Sequence, residues 1–506
     1  MTRVAIAADS HLTAAAGARI ARQGGNVVDV AVGSALAATV SEVLMCSLGG
    51  AGFFMVRMPG GDAELIEGAD AFPTMSRTPE LGTEAWRKAW VPYGDGVEVM
   101  GGYASISVPG VLAAAEMVWQ RHGSLPWKEI VAPALELASR PIPVSTTMAG
   151  WLALAGPNLL SGQAASRACF FRDGQPLPAG QKFQIPNLDQ TWQAISEQGA
   201  QTLYDGDLAA RFADEVIRHG GFVDRNDLAT YEAMVRKPLS ILSGGFEVAL
   251  NPPPAAGGAA VGYLIRCIES TWDARSTAAH QVVMQAKAQL GLQGERNDRL
   301  YDAGFDHDAA THWLAAAGSG PLNAPGTTHI SVVDVDGGMV SITMSMGYGS
   351  GIVIPELGIA CNNSLGEPEL NPLGFHAGIP GTRIGSNMAP MVAWHSDGRC
   401  LALGSPGASR ITTSIAQTWL HVVLDGKTYE EAVAAPRIHI EACDDELRAQ
   451  YEPGVDTSQL GEPLVLRPFD AADRYFGGVK LAGLDDRGQL HAVADSRRDG
   501  AVEFID

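Results

Sequence analysis

The sequence predicts a globular protein of mixed α/β class, and three observations support this assignment. Hydrophobic residues make up 46 % of the 506 positions and charged residues 18 %, which is typical of a chain that folds around a core. A stretch near the start has helical character, and a stretch after residue 327 alternates apolar and polar residues as a β-hairpin does. The chain returns to helix in SRITTSIAQTWLHVVLD (409–425). The length fits one very large domain or two to three of ordinary size.

The chain is strongly acidic, with 35 Lys and Arg against 56 Asp and Glu and a formal net charge of −21. Such a surface repels the phosphate backbone of nucleic acids and anionic lipid headgroups. The longest apolar run, 27–50, is interrupted by Asp29 and Glu42 and is therefore not expected to span a bilayer. We expect a small-molecule substrate, with neither nucleic acid nor membrane as a partner.

The cysteines and the first residues predict a cytoplasmic protein. The six cysteines, Cys46, Cys169, Cys267, Cys361, Cys400 and Cys443, are scattered with no close pair. This is the pattern of buried thiols in a reducing compartment. The opening MTRVAIAADSHLT has no secretion signal pattern.

No His-Glu-x-x-His or Cys-x-x-Cys motif occurs in the sequence, so neither a metal nor another cofactor is expected.

The first long segment, SHLTAAAGARIARQGGNVVDVAVGSALAATVSEVL (10–44), predicts two consecutive helices. The turn at 23–26 separates them, and Asn26 is a suitable N-cap for the second. SLGGAGFFMVRM (47–58) then predicts a strand preceded by small residues. Much later, the Gly/Ala/Pro-rich stretch AAAGSGPLNAPG (315–326) predicts an exposed, flexible segment that ends immediately before Thr327.

The segment 327–346 predicts a hairpin. Its arms alternate apolar residues (Ile330, Val332, Val340, Ile342, Met344) with polar ones (Thr327, His329, Ser331, Ser341, Thr343, Ser345). A three-residue loop at Asp336–Gly338 is predicted because it pairs apolar side chains, for example Ile330 with Met344. In this register Ser345 lies opposite His329 and diagonal to Thr327.

A row of hydroxyl groups then lies on one face of the hairpin and begins at Thr327. One interpretation is a solvated strand face, since Ser and Thr are common in strands. The other is catalytic. A threonine with a free α-amino group carries its own base, because the amine accepts the proton of the hydroxyl nucleophile. Thr327 gains that amine only if the bond after Gly326 is cut.

Eight further motifs, in order along the chain, accompany TTHISVVDVDGGMVSIT (327–343). They are GGNVVD (24–29), SLGGAGFF (47–54), SVPGV (107–111), VAPALELA (131–138), GGFVDRNDLATY (220–231), NPPPAAGG (251–258), GSPGASRI (404–411) and APRIH (435–439). Together they resemble the γ-glutamyltransferase (γ-glutamyltranspeptidase) superfamily of N-terminal nucleophile hydrolases. The resemblance covers nearly the whole chain.

The resemblance implies a fold and a processing event. The fold is an α/β (α+β) four-layer αββα sandwich made as one proenzyme. Autocatalytic cleavage between Gly326 and Thr327 gives a large subunit, 1–326, and a small subunit, 327–506. The two remain associated as a heterodimer in one αββα domain, with further dimerisation left open.

The resemblance also implies roles for individual residues. Thr327 is the nucleophile that forms an acyl-enzyme, and Ser345 stands where the family usually has a second Thr. Gly407 and Ala408 match the residues whose N–H groups form the oxyanion hole. Asn362 and Asn363 match a pair that lines the site, although a turn whose side chains bond to backbone is an equal alternative.

The residues matching the γ-glutamyl pocket depart from the family pattern. Ala69, in GADAFP (68–73), stands where an Arg normally binds the substrate carboxylate, and Ala cannot replace that contact. In GSNMAP (385–390) Ser386 is kept and its neighbour becomes Asn387. Glu367 matches the Asp that binds the substrate ammonium group. Arg410 and Arg383 are candidate carboxylate partners, with structural ion pairs as the alternative.

Three functions follow from this sequence. The first is a self-processing Thr hydrolase or acyltransferase that acts on a small amide, γ-glutamyl or related. The second is a C–C bond hydrolase of an antibiotic biosynthetic pathway that uses the same nucleophile. The third is a non-catalytic relative that acts as a binding protein.

Overall fold

The computed structural model describes residues 1–93, 96–273, 275–295, 307, 310, 327–371, 373–443 and 446–506. The predicted flexible segment 315–326, including Gly326 at the predicted cut, lies outside the described residues. None of the described helices combines the length and the apolar character needed to cross a membrane.

The described strands are numbered in chain order. They are β1 (Val4–Ala8), β2 (Ala51–Arg57), β3 (Ala63–Gly68), β4 (Arg87–Val91), β5 (Val97–Gly101), β6 (Ile142–Pro143), β7 (Phe171–Arg172), β8 (Gln175–Pro176), β9 (Lys182–Phe183), β10 (Met234–Arg236), β11 (Leu239–Ser243), β12 (Phe246–Leu250), β13 (Thr327–Asp334), β14 (Met339–Ser345), β15 (Val353–Ile354), β16 (Ile359–Ala360), β17 (Met391–Trp394), β18 (Cys400–Gly404), β19 (Ile438–Cys443), β20 (Glu446–Tyr451), β21 (Leu464–Pro468), β22 (Lys480–Leu484), β23 (Leu490–Ala494) and β24 (Ala501–Ile505).

The described α-helices are His11–Arg22, Val27–Ser41, Val111–His122, Trp127–Ala138, Thr146–Leu159, Ala164–Phe170, Leu188–Gln198, Thr202–Asp205, Asp207–Arg218, Arg225–Ala229, Ala256–Thr271, Ala278–Glu295, Arg410–Val423 and Tyr429–Ala434. The two predicted N-terminal helices are confirmed. Asn26 caps the second of them, and its side chain accepts hydrogen bonds from the Val28 and Asp29 N–H groups.

Two antiparallel sheets face each other at the centre of the molecule. Within the described residues the first sheet has the strand order β10-β3-β2-β14-β13-β1-β24, and the second has the order β11-β12-β17-β18-β22-β23. Helix Val27–Ser41 packs on the outer face of the first sheet, against β13 and β14. Helices Ala256–Thr271 and Arg410–Val423 pack on the outer face of the second sheet. The expected four-layer αββα sandwich is thus confirmed.

The hairpin forms as predicted, but its predicted register is wrong. Thr327 pairs directly with Ser345, and Ile330 pairs with Ile342. The loop still has three residues, but they are 335–337. The reason is Asp334, whose side chain accepts hydrogen bonds from the backbone N–H groups of residues 336 and 338, at 3.0 and 2.8 Å. These bonds close the turn one residue earlier than the alternation of apolar residues suggests.

The interpretation of the hydroxyl row as a solvated face is also wrong. Every residue of β13 is buried, on both faces of the strand. The Ser331 hydroxyl donates to the Lys480 carbonyl of β22 (3.1 Å), and the Ser341 hydroxyl donates to the Leu403 carbonyl of β18 (3.1 Å). The hydroxyl row therefore lies between the two sheets, where its polar groups are satisfied by the backbone of the second sheet.

Strands from both sides of residue 326 alternate within the first sheet. β13 lies between β14 and β1, while β24 covers the other edge of β1. Val4 of β1 pairs with Asp334 on one side and with Ile505 on the other. Neither 1–326 nor 327–506 therefore contains all the strands of this first sheet.

Candidate functional site

Thr327 begins β13 and lines a cleft with about 440 Å³ of empty space between the two sheets. Its side chain is on the inter-sheet face, opposite Ser345 of β14, which also lines the cleft. The other lining residues are Ala51, Phe53, Ala69, Asp70, Gly347, Ser364, Glu367, Leu370, Ile384, Gly385, Ser386, Asn387, Met388 and Ile411. The structure thus brings Thr327 and Ser345 together with three of the predicted substrate-binding residues, Glu367, Ser386 and Asn387.

The ionisable side chains that line the cleft are acidic. Asp70 and Glu367 are buried, and no Arg, Lys or His is among its described lining residues. Ala69, at the position where the family has an Arg, lines the cleft. An anionic substituent on a substrate would therefore meet two carboxyl groups here and no cationic side chain.

Burial governs the protonation of both carboxyl groups. Burial raises the pKa of Asp70 to about 7, although the hydroxyl of Ser364 donates to its Oδ2 at 2.5 Å and opposes the shift. Burial, with the nearby Glu369 charge, raises the pKa of Glu367 well above its usual range. An entering cation would favour the ionised form of both carboxyl groups.

Several polar atoms in the cleft wall have no hydrogen-bond partner in the described part of the chain. They are Oδ1 of Asp70, Oε2 of Glu367 and both amide atoms of Asn387, and all three side chains are more than nine-tenths buried. A buried polar group without a partner costs about 1–3 kcal/mol. These atoms are therefore suited to bind a ligand rather than to stabilise the empty protein.

A tight turn after β14 positions Glu367. The N–H of Tyr348 donates to Glu367 Oε1 at 3.1 Å, and Asn363 Oδ1 accepts from the N–H groups of Tyr348 (2.9 Å) and Gly349 (3.1 Å). Gly347 has a φ of +67°, and a Cβ at this position would lie 1.5 Å from Glu367 Oε1. Only glycine therefore fits at 347, and Asn363 shapes the wall of the cleft without lining it.

Asn362 is a structural residue by its contacts. Its Oδ1 accepts from the N–H and hydroxyl of Ser107 and the N–H of Ser364, at 2.9–3.1 Å. Its Nδ2 donates to the carbonyls of Gly49 (2.7 Å) and Ser107 (3.1 Å). These bonds hold three loops together, which favours the alternative that the Asn362 side chain bonds to backbone.

The turn Gly407–Ala408 precedes the helix that brings Ile411 into the cleft. Gly407 has a φ of +130° and Ala408 one of +62°, which L-residues with a side chain rarely adopt. Among the described residues, neither backbone N–H donates a hydrogen bond. Strained backbone with unengaged N–H groups is the expected geometry of an oxyanion hole, and the role of this turn stays a prediction.

The two candidate carboxylate partners do not line the cleft. Arg410 is buried beyond the turn, where it donates to the Tyr475 carbonyl (3.2 Å) and the Ser409 hydroxyl (2.7 Å). Its guanidinium lies 4.1 Å from the centre of the Tyr475 ring. Arg383 forms an ion pair with buried Glu67 at 3.4 Å. Both contacts favour the structural alternative for these arginines.

A buried network that the sequence did not reveal lies behind the nucleophile strand. The Thr328 hydroxyl contacts both Glu42 Oε2 and Asp9 Oδ2, the latter at 3.2 Å. Glu42 Oε1 accepts from the Thr13 hydroxyl at 2.5 Å, and Asp9 Oδ1 pairs with the ammonium of Lys480 at 2.5 Å. Burial, with the nearby Asp9 charge, raises the pKa of Glu42 to about 7.

His329 lies on the same face as Thr327 and is fully buried. Its Nδ1 is 2.8 Å from the Thr343 hydroxyl and its Nε2 is 3.0 Å from that of Ser331. Burial, with the nearby Lys480 charge, lowers the pKa of His329 well below its usual range. The imidazole is therefore neutral and rigidly held, as expected for a structural residue.

Asp70, Ser364 and Gly347 are cleft residues that sequence reasoning did not select. Asp70 directly follows Ala69 in the quoted GADAFP stretch, but its burial could not be read from the sequence. Among the described residues, no three His, Cys, Asp or Glu side chains are grouped closely enough to hold a metal ion.

Comparisons with known proteins agree with this geometry. A family model described as Gamma-glutamyltranspeptidase matches residues 13–505. The Glutathione hydrolase proenzyme of Escherichia coli (strain K12) is 27 % identical over 526 residues, covering 95 % of this chain and 88 % of that protein. The Acylase ACY 1 proenzyme of Pseudomonas sp. (strain SE83) is 27 % identical over 538 residues, covering 100 % and 94 %. The crystal structure of cephalosporin acylase from Bacillus halodurans superposes with a TM-score of 0.79 at 23 % identity, covering 99 % of this chain and 96 % of that one.

Proposed function

We propose that Thr327 becomes the nucleophile of this protein by self-cleavage and then attacks an amide. The premise is that this chain belongs to the gamma-glutamyltranspeptidase family and is a hydrolase or acyltransferase of that family. The observation that carries this proposal is the position of Thr327 at the first residue of β13, opposite Ser345, in a cleft between the sheets. Relatives described as proenzymes support a precursor that is cut into two associated subunits.

The proposed reaction needs only groups of this chain and water. An α-amino group has a pKa of about 7.7–8.0, so a useful fraction is neutral near pH 7. The Thr327 Oγ1 attacks the amide carbonyl carbon while its proton passes to the Thr327 amine. The oxyanion accepts hydrogen bonds from Gly407 and Ala408, and the C–N bond then breaks as the leaving amine takes that proton. Water, deprotonated by the same amine, cleaves the resulting ester and restores the Thr327 hydroxyl.

We further propose that the acyl group carries an amino substituent and lacks a carboxylate. Two buried carboxyl groups, Asp70 and Glu367, present unpartnered oxygen atoms to the cleft, and an ammonium group would give each a charged partner. A carboxylate would meet no cationic side chain among the described lining residues and would hold Asp70 and Glu367 in their protonated forms. An ammonium group instead gives both carboxyl groups a partner in their ionised forms.

Three p-nitroanilides that differ by one group test this proposal. The γ-glutamyl compound carries both an amine and a carboxylate, the 4-aminobutanoyl compound carries only the amine, and the glutaryl compound carries only the carboxylate. We expect the 4-aminobutanoyl compound to have the highest kcat/KM, by about tenfold or more. The Glu367→Gln variant should reduce that advantage, with Glu356→Gln, at an exposed position, as the control. A higher kcat/KM for the glutaryl compound would contradict the proposal.

The alternative of C–C bond hydrolysis uses the same nucleophile, and no contact in the described cleft favours it over amide hydrolysis.

We also propose a cytoplasmic location. It is supported by the free thiols of the described cysteines, of which Cys46, Cys169, Cys361 and Cys400 are buried. Cell fractionation with an antibody against the small subunit would test the location.

A further inference from the structure

Lys480, the first residue of β22, is a fully buried cation that the proposed reaction does not use. A lysine is almost never fully buried unless its charge is paired. The Lys480 ammonium pairs with Asp9 Oδ1 at 2.5 Å and donates to the Gly478 carbonyl at 2.7 Å. Asp9 directly follows β1 of the first sheet, whereas Lys480 belongs to the second sheet. This ion pair therefore joins the two sheets inside the molecule.

On the side of the first sheet, Asp9 holds the beginning of the nucleophile strand β13. Its Oδ2 accepts a hydrogen bond from the backbone N–H of His329 at 2.9 Å and contacts the Thr328 hydroxyl at 3.2 Å. Thr328 and His329 are the two residues that follow Thr327. The proposed cut makes Thr327 a chain end, and chain ends are poorly ordered unless they are tied down. Asp9 supplies such a tie within two residues of the nucleophile.

On the side of the second sheet, Lys480 holds the segment that packs against Gly407. The N–H of Gly478 donates to the Ser405 hydroxyl at 3.0 Å, so this segment is bonded to the chain just before Gly407. The backbones of Gly477 and Gly407 are in direct contact, because a Cβ at Gly407 would lie 2.7 Å from the Gly477 Cα. The position of the Gly407 turn therefore depends on the segment that Lys480 holds.

The nucleophile strand and the Gly407 turn also meet directly, at His329 and Gly404. A Cβ at Gly404 would lie 2.1 Å from Cε1 of the His329 ring, and both nitrogens of that ring contact hydroxyl groups. Gly404 ends β18 three residues before Gly407, and it pairs with Lys480 across β18 and β22. The two parts of the chain are thus packed closely beside the Lys480 ion pair.

We propose that Lys480 is a positioning residue that sets the distance between the Thr327 hydroxyl and the backbone N–H groups of Gly407 and Ala408. The proposal rests on the function proposed above. In the transition state the attacked carbon is close to the Thr327 oxygen while its oxyanion accepts from the Gly407 and Ala408 N–H groups. Thr327 begins a strand of the first sheet and Gly407 follows a strand of the second, so the distance depends on how the sheets are joined. Lys480 is not among the described residues that line the cleft.

Two variants separate positioning from stability. Lys480→Met leaves Asp9 as a buried charge without its cation, so the protein should be less stable. The double variant Asp9→Asn/Lys480→Met removes both charges and should regain most of the stability, because its amide still accepts the backbone hydrogen bond of β13. Asp495, another carboxylate near Lys480, stays paired with Arg437 (2.7 Å) and Arg497 (3.1 Å). The double variant therefore has near-normal stability but lacks the link between the sheets.

Acetylation of Thr327 by p-nitrophenyl acetate is the measurement, because this small ester does not depend on the acyl group proposed above. Thr327 Oγ1 takes the acetyl group and p-nitrophenolate leaves. The rate constant is expressed per molecule cut before Thr327, counted by denaturing mass spectrometry, which also locates the acetyl group. We expect the double variant to melt near the wild-type temperature and to react about 100-fold more slowly, since a misplacement of about 1 Å can cost that much. The ester concentration that gives the half-maximal rate should change little.

The control is the double variant His421→Gln/Asp425→Asn. It removes a carboxylate–imidazole contact (2.6 Å) at the other end of the helix that starts at Arg410, about 16 Å away along the helix axis. This variant should react as the wild type does. If Asp9→Asn/Lys480→Met does not fold, the nearly isosteric Asp9→Asn variant takes its place, with the same decrease expected.

The outcomes distinguish this proposal from the proposed function. A double variant that regains both wild-type stability and wild-type acetylation would show that the ion pair serves stability alone, and the positioning proposal would be wrong. A folded double variant that stays uncut would support the proposal, because the cut uses the same hydroxyl. If the wild-type chain itself is not cut before Thr327, the proposed function is wrong. If it is cut and acetylated but hydrolyses no anilide, only the proposed acyl group is wrong.

Discussion

The hydroxyl of Thr328, the residue after the nucleophile, hydrogen-bonds to the fully buried carboxyl group of Glu42. The same hydroxyl also contacts Asp9, which is paired with Lys480. Two carboxyl groups therefore share one hydroxyl, and the Lys480 ammonium pairs with Asp9. A proton retained on Glu42 relieves their repulsion, in agreement with a pKa of about 7.

We predict that this proton makes stability depend on pH. Because the pKa of Glu42 is about 7 in the folded protein against 4.5 in the unfolded chain, the folded state binds more protons between these values. Its contribution to stability is fully present below about pH 4.5 and is lost as the pH rises through about 7. Where the folded state binds one proton more than the unfolded state, the free energy of unfolding falls by about 1.4 kcal/mol per pH unit.

Urea denaturation of the uncleaved Thr327→Ala chain at pH 5.5 and 7.5 measures this dependence. The Glu42→Gln substitution should make the decrease in stability with pH smaller, while Asp70 maintains part of it because its pKa is also raised to about 7. The exposed Glu356→Gln change serves as the control. An unchanged pH dependence in Glu42→Gln would show that Glu42 is ionised throughout.

Replacing the nucleophile should abolish both processing and turnover. We expect Thr327→Ala to remain one chain of 506 residues by denaturing mass spectrometry, whereas the wild type gives fragments 1–326 and 327–506. Thr327→Ser keeps a hydroxyl and should still be cut, although more slowly. Cleavage of the Thr327→Ala variant would show that the Thr327 hydroxyl is not needed for self-cleavage.

The Gly407–Ala408 turn offers two opposite substitutions. A Cβ at Gly407 would lie 2.7 Å from the Cα of Gly477, so Gly407→Ala should displace the turn and lower kcat by about 100-fold. Ala408→Gly relieves a residue at a φ of +62° and should preserve kcat without loss of stability. The comparison requires the best anilide substrate and thermal unfolding of each variant. Equal kcat values for both would argue against an oxyanion role.

Substitutions at two asparagines should have opposite effects, one on stability and the other on substrate binding. Asn362→Ala leaves several buried groups unsatisfied and should lower the free energy of unfolding by about 3 kcal/mol with little change in KM. Asn387→Ala removes amide atoms that have no partner in the described residues, so stability should change little while KM rises about tenfold. A raised KM with unchanged stability in the Asn362→Ala variant would instead show that Asn362 binds substrate.

The strand faces of the hairpin could be predicted from the sequence, but its register and surroundings could not. Alternation correctly placed Thr327 and Ser345 on one face. The register depends on the bonds of the Asp334 side chain within the loop, which alternation does not reveal. Alternation also cannot distinguish water from a second sheet, and the polar face of β13 is buried against β18 and β22.

The residues of the cleft were partly predictable for a related reason. Glu367, Ser386 and Asn387 were found because their stretches match pocket positions of the family, although Glu367 and Asn387 differ from the usual residues there. Arg410 carries the right charge, but it is held away from the cleft by groups that include the ring and carbonyl of Tyr475 and the carboxylate of Glu441, which are remote in sequence. The Asp9–Lys480 pair joins opposite ends of the chain, so no local pattern could reveal it.

The alternation of strands in the first sheet has a consequence for the cut enzyme. β13 and β24 hold β1 between them, so the two polypeptides cannot come apart without breaking the hydrogen bonds along both edges of β1. Dissociation and unfolding are then one event. Dilution should leave the mature pair intact, and two halves produced separately should not reconstitute it by simple mixing.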